Sequence, residues 1–442
     1  MLRRLRRRGG ASGALGLSCA ALALGACRTT VDRLGRDDSA GAASASAGNS
    51  AGGGEGAGGR RAGLGPLTGP ASYPNAFKDL LGKTDVEIEN RIETLFQRLF
   101  YGDPDTEAIY FPIGGAEQAV IRDTFHNDVR TEGMGLGMII TVQRNKRDEF
   151  DRLWSFAKAS LWITADGAAA KGYFNSTCDL LNGKVACLDP YGHQQFITAL
   201  LFARDRWGNS GAHDYAGDAQ ILLDVMRTKE QENGGIVDGV TNLFDAQTKL
   251  VFDLPNQSVG QTSRPSVAMP AYYELWAQAT GDPFYKEAAA AAREYWKNSV
   301  HEATGLIPIR SHFSGAALPG WNFFGPEAYR AQLNMALDQI WFGSELWEVQ
   351  EADKLLAFFV SQGIERYSQS YPLDGSMCNS CIRDAALIAM NGVSALIATH
   401  RQRLAFVQAV WDQGPIAGRP RYFAGLMQLV ALLTLSGQYR VY

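Results

Sequence analysis

The chain has 442 residues, a formal net charge of −4, 46% hydrophobic and 10% aromatic residues. That is enough apolar material for a large core, and it lacks the basic balance that nucleic-acid binding requires. Loss of an N-terminal segment carrying five arginines and no acid would take the charge to about −9, further from any phosphate-backbone partner.

That segment comes first in the chain. Arg3, Arg4, Arg6, Arg7 and Arg8 form a basic start, and residues 13–26 form an apolar stretch too short to span a bilayer. The stretch ends in Leu24-Gly25-Ala26-Cys27, which resembles the bacterial lipobox. Residues 1–26 are therefore expected to be a lipoprotein signal peptide, with Cys27 as the lipidation site. An ordinary cleaved signal peptide is the alternative. Arg28 stands where an aspartate would favour inner-membrane retention, so the expected location is the outer membrane, on its periplasmic or cell-surface face. Ser39 to Gly59 is almost entirely Gly, Ala and Ser and cannot bury enough apolar surface to fold. Residues 27–72 read as a flexible tether, and 73–442 as the folded domain, expected to be a monomer touching membrane only through its lipid.

Within that domain the periodicity is helical. Thr84 and Glu87 make a capping box, followed by Ile88, Ile92, Leu95, Phe96 and Leu99 on one face. The spacing predicts further helices near 132–145, 147–163, 192–206, 213–230, 266–280, 284–299, 327–344, 350–367, 382–398, 400–411 and 421–436. No segment shows a sustained run of strands. No helical-hairpin repeat of ~34 residues is present, which disfavours a solenoid. About twelve helices suggest an all-α fold of six hairpins closed into an (α/α)6 barrel. The connections 164–191, 231–265 and 301–326 are long, as functional loops often are.

Beyond Cys19 and Cys27 the cysteines come as close pairs, Cys178 with Cys187 and Cys378 with Cys381. In an exported chain disulfides are the default. Zinc would also suit two pairs, but the residues between them offer no ligand-like histidine spacing, so no metal is expected. Cys378-Asn379-Ser380-Cys381 has redox-motif spacing without the strand and helix context of a thioredoxin fold.

The stretch most suggestive of chemistry is Arg130-Thr131-Glu132-Gly133-Met134-Gly135-Leu136-Gly137-Met138. A carboxylate opens a helix that continues with three glycines, each costing roughly 1 kcal/mol against alanine. Close approach of a ligand or of a neighbouring helix would explain them. The alternative is that Glu132 only complements the helix dipole and the glycines only pack helix on helix.

This stretch resembles the acid motif of glycoside hydrolase family 8. Asp151-Arg152-Leu153-Trp154, Ala199-Leu200-Leu201-Phe202-Ala203 with Arg206-Trp207-Gly208, and Met269-Pro270-Ala271-Tyr272-Tyr273-Glu274-Leu275-Trp276 resemble later blocks in the family's order. Phe323-Phe324-Gly325-Pro326-Glu327-Ala328-Tyr329-Arg330 resembles the block holding the catalytic base. The nearest likeness is to the family's exo-acting xylo-oligosaccharide hydrolases, and the family's (α/α)6 fold agrees with the helix count. The resemblance implies an inverting hydrolase of a xylan- or β-glucan-type saccharide, with no cofactor, Glu132 as general acid and Glu327 as general base. Tyr329 and Arg330 match the pair that follows the base.

Two positions depart from the family pattern. Glu327 replaces the usual aspartate. Tyr191 falls where a sugar-contacting aspartate belongs, with Asp189 two residues earlier as a substitute. Trp321 is a candidate sugar-stacking platform or a buried aromatic. These departures keep open a catalytically impaired glycan-binding lipoprotein, and a lyase or epimerase on the same fold remains a further alternative.

Overall fold

The computed structural model describes residues 63–178, 185–343 and 346–442. Contacts divide the chain into Met1–Arg60 and Arg61–Tyr442, and all that follows concerns the second unit.

This unit is mostly helical. Among the described residues the helices are α1 (Ala76–Leu81), α2 (Asp85–Tyr101), α3 (Thr131–Gln143), α4 (Arg147–Phe156), α5 (Pro190–Trp207), α6 (Tyr215–Glu232), α7 (Pro270–Thr280), α8 (Pro283–Ser299), α9 (Arg330–Phe342), α10 (Leu346–Gln362), α11 (Ala385–Ile397), α12 (Arg403–Asp412) and α13 (Arg421–Leu435). The capping box at Thr84 and Glu87 is formed at the start of α2. Short α1 is an addition to the predicted set.

The odd-numbered helices from α3 onward pack in sequence, α3 on α5, α5 on α7, α7 on α9, α9 on α11 and α11 on α13, and α13 returns to α3. The ring of contacts is closed. The remaining helices back it, with α4 on α3, α6 on α5, α8 on α7, α10 on α9 and α11, α12 on α11 and α13, and α2 on α13. Side-chain patterns account for this sorting. Backing helix α2 buries only the stripe Ile88, Ile92, Leu95, Phe96, Leu99 and Phe100. Ring helices α3 and α13 are buried on nearly every side, as a helix enclosed by neighbours must be.

Several polar groups in the ring are paired within it. Gln194 Nε2 donates to the Val267 carbonyl at 3.0 Å, and the Tyr273 hydroxyl donates to Gln194 Oε1 at 2.7 Å. The three glycines of α3 are explained by packing. A Cβ on Gly133 would lie 2.5 Å from the Tyr422 ring, one on Gly135 2.5 Å from Gln195 Cβ, and one on Gly137 2.6 Å from Ile121. They let α13, α5 and a strand close on α3.

The structure corrects the absence of strands. An antiparallel five-stranded sheet runs in order through β1 (Tyr110–Ile113), β2 (Gln118–Asp123), β3 (Asp128–Arg130), β4 (Asn175–Cys178) and β5 (Val185–Leu188). Its strands are too short for an alternating pattern to stand out, and β3 meets β4 only across two intervening helices. Two small ladders join the long loops, β6 (Thr262–Ser263) with β7 (Ser311–His312), and β8 (Phe323–Phe324) with β9 (Tyr371–Pro372). Cys378 and Cys381 are disulfide-bonded, with Cα atoms 5.7 Å apart. The expected Cys178–Cys187 bond falls on side chains outside the described residues, as do Cys27 and the signal segment. No helix among the described residues is long and apolar enough to cross a membrane.

Candidate active site

Four strand-to-helix junctions carry the charged groups. Strand β3 ends at Arg130, which puts Glu132 in the first turn of α3. Strand β5 ends at Leu188, and Asp189 then caps α5, its Oδ1 accepting from the Tyr191 amide at 2.8 Å. Arg264 follows β6 and precedes Pro265, in the extended backbone such a position favours. Strand β8 leads through Glu327 into Arg330, the first residue of α9. Carboxylates are favoured at helix N-termini by the backbone dipoles.

Arg330 joins the two glutamates. Its Nη1 donates to Glu132 Oε1, and its Nη2 lies 4.0 Å from Glu327 Oε2. A single guanidinium spans both, so the facing oxygens are no more than about 9 Å apart, compatible with the ~6.5–9.5 Å of inverting glycosidases. The Arg330 side chain is 3% exposed and those of Glu132 and Glu327 are 23% and 44% exposed. The arginine is thus buried wall, and both carboxylates face an opening.

The two glutamates titrate in opposite directions. Burial raises the Glu132 pKa above the usual carboxylate value, outweighing Arg330 and Arg130, and the charges of Glu327 and Asp189 add to the rise. Burial also pushes Glu327 upward, but Arg264, Arg330 and Arg310 overcome it and the net shift is down. One group is biased towards the acid and the other towards the base, the signature of a paired acid/base site.

Around them lies an ionic cluster. Arg264 Nη2 contacts Asp189 Oδ2 at 2.5 Å, Nε contacts Asp253 Oδ1 at 2.8 Å, and Nη1 reaches Glu327 Oε2 at 3.4 Å. Arg310 Nη1 holds the other Asp253 oxygen at 3.0 Å, and its guanidinium lies 4.4 Å from the centre of the Trp321 ring. Burial raises Asp189, yet Arg264, Arg330 and the Tyr191 amide bring its pKa below the ordinary value.

Glu132, Glu327, Asp189 and Arg330 therefore converge, and half-buried Trp321 stands at the edge through Arg310. Two side chains expected to contact substrate are buried. Tyr329 is fully buried, packed on Phe324, and its hydroxyl donates to the Gln369 carbonyl. Tyr191 is fully buried with the Arg330 guanidinium 4.1 Å above its ring centre, so it supports the bridging arginine and does not face the opening. His193 is also buried; its Nε2 donates to the Leu222 carbonyl at 3.2 Å, and burial pushes its pKa down to about 4. Arg264, Asp253 and Arg310 were not singled out in the sequence, because they lie in long loops without a motif around them.

Two carboxyl groups of opposed titration, joined by one arginine at the mouth of a helical ring, define a site for acid/base cleavage of a glycosidic bond. The sequence pattern of glycosyl hydrolases family 8 matches residues 113–436. The chain belongs to that family and is an inverting glycoside hydrolase. It is 33% identical over 382 residues to the reducing-end xylose-releasing exo-oligoxylanase Rex8A of Paenibacillus barcinonensis, covering 84% of this chain and 97% of the relative. A reducing-end xylose-releasing exo-oligoxylanase of Bifidobacterium adolescentis is 27% identical over 369 residues, covering 80% and 93%. The structure of Rex8A complexed with xylose superposes with a TM-score of 0.78 at 32% identity, covering 84% and 98%. That of a family 8 protein from Teredinibacter turnerae with xylobiose gives 0.79 at 33% identity and the same coverage.

Proposed function

We propose that this chain hydrolyses xylo-oligosaccharides, with Glu132 as the proton donor and Glu327 as the base that activates water. The observation carrying this reading is the Arg330 bridge between two carboxylates whose pKa values are displaced in opposite directions. Protonated Glu132 gives its proton to the leaving oxygen. Ionised Glu327 takes a proton from a water that attacks the anomeric carbon from the opposite face. As Glu132 loses its proton, Arg330 is in contact to stabilise the new charge. Asp189 is a sugar-hydroxyl acceptor beside the base, and Trp321 is the stacking surface at the rim.

Xylose-containing ligands in the related structures support the substrate class, and the names of the relatives support release of xylose from the reducing end. The closed ring of helices, each backed by a neighbour, supports an (α/α)6 barrel with the site at the N-terminal ends of the ring helices. The arginine-rich start and Leu24-Gly25-Ala26-Cys27 support lipid anchoring, and Arg28 supports the outer membrane.

The test is digestion of xylotriose through xylohexaose, with the anomer of the first product read by NMR. Inversion and release of single xylose units are expected. Glu132→Gln should lower turnover by about 10²–10⁴-fold, the usual worth of a general acid, with unchanged circular dichroism. A folded Glu132→Gln protein with wild-type turnover would refute the acid assignment. Binding without cleavage by the wild type would favour the glycan-binding alternative.

A further inference from the structure

We infer that Arg264 is a positioning residue for the water-activating carboxylate, holding Glu327 ionised and aimed from a clamp built by a two-residue ladder. The inference rests on Glu327 being the base. The ladder pairs Thr262 with His312 and Ser263 with Ser311. One further step in that register sets Arg264 opposite Arg310. Like charges directly opposed across strands repel, and here Asp253 separates them, one oxygen on each guanidinium at 2.8 and 3.0 Å. The Asp253 amide donates to the Thr262 carbonyl at 2.8 Å, which fixes this carboxylate beside the ladder.

The clamp has a directional consequence. With Asp253 ion-paired beside Nε, the two terminal amines of Arg264 hydrogen-bond Asp189 and Glu327. A guanidinium is a rigid fork, so these three directions are set together. An ammonium has no such fork and cannot hold three carboxylates in this arrangement. Glu327 faces Arg264, Arg330 and Arg310, opposed by Asp189, Asp253 and Glu132. Arg264 lies closer to Glu327 than Arg330 does, 3.4 Å against 4.0 Å.

The experiment compares kcat and KM for xylotetraose across pH in the wild type, Arg264→Lys, Arg264→Met and Glu327→Gln. With Arg264 neutralised, the carboxylate of Glu327 loses a stabilising charge. The acid limb of kcat/KM should then move to higher pH by about one unit or more. Arg264→Lys should move it less, because charge is kept while the fork is lost, and kcat should fall more than KM changes in both. Should Arg264→Met not fold, Arg264→Lys decides alone. An acid limb unmoved in folded Arg264→Met, or an unmoved limb together with an unchanged kcat in folded Arg264→Lys, with Glu327→Gln inactive, overturns the role of Arg264 and leaves the base assignment standing. Full turnover in Glu327→Gln overturns both.

Discussion

Replacing Arg330 with methionine removes the one charge shared by both reacting carboxylates while keeping an unbranched side chain over the Tyr191 ring. At the 4.0 Å between Arg330 Nη2 and Glu327 Oε2, an effective dielectric near 20 gives an attraction of about 4 kcal/mol. The Glu327 side chain is 44% exposed, and solvent screening reduces this to roughly 1–2 kcal/mol, or about one pKa unit at 1.36 kcal/mol per unit. Glu132 bonds Arg330 directly and is less exposed, so its shift should be larger, about two units. Loss of a cation raises both carboxyl pKa values. The base then ionises at higher pH, moving the acid limb up, and the acid keeps its proton to higher pH, moving the alkaline limb up further. The whole kcat/KM profile should therefore travel to higher pH and broaden. The assay is initial-rate hydrolysis of xylotetraose from about pH 4 to pH 10, with circular dichroism at each end. A folded variant with both limbs in place, or with the acid limb displaced downward, would refute the electrostatic account of the pair.

Three further outcomes follow from the packing. Gly135→Ala should raise helix propensity by about 1 kcal/mol, but its Cβ would lie 2.5 Å from Gln195 Cβ. Overpacking of this kind costs about 1–3 kcal/mol, so the urea midpoint should fall; a rise would show that α3 and α5 can separate freely. Asp189→Ala removes the cap of α5, worth about 1 kcal/mol, and a charged partner of Arg264 worth about 1.5–3 kcal/mol. Its kcat/KM on xylotetraose should drop about tenfold or more. Tyr191→Asp should give no gain, since that side chain lies under Arg330; a gain would return the sugar contact to position 191.

The sequence determined the helical character of the domain and most of its boundaries, because a period of 3.6 and a capping box are local signals. It also supplied Glu132, Glu327 and Arg330, through blocks whose order matches the family, and it marked Cys378 and Cys381 as a close pair whose bond the fold decided. Short strands were illegible: β3 and β4 stabilise each other only after two helices have brought them together. The reason for the glycines in α3 was decided by tertiary contact, since Tyr422, Gln195 and Ile121 come from three different elements. Tyr191 and Tyr329 were read by position in a motif, and packing turned both rings into the core. Asp253 and Arg264 come from one long loop and Arg310 from another, and nothing local marks them. They become a cluster because a buried guanidinium must be surrounded by carboxylates to be tolerated, and only the folded chain decides which carboxylates those are.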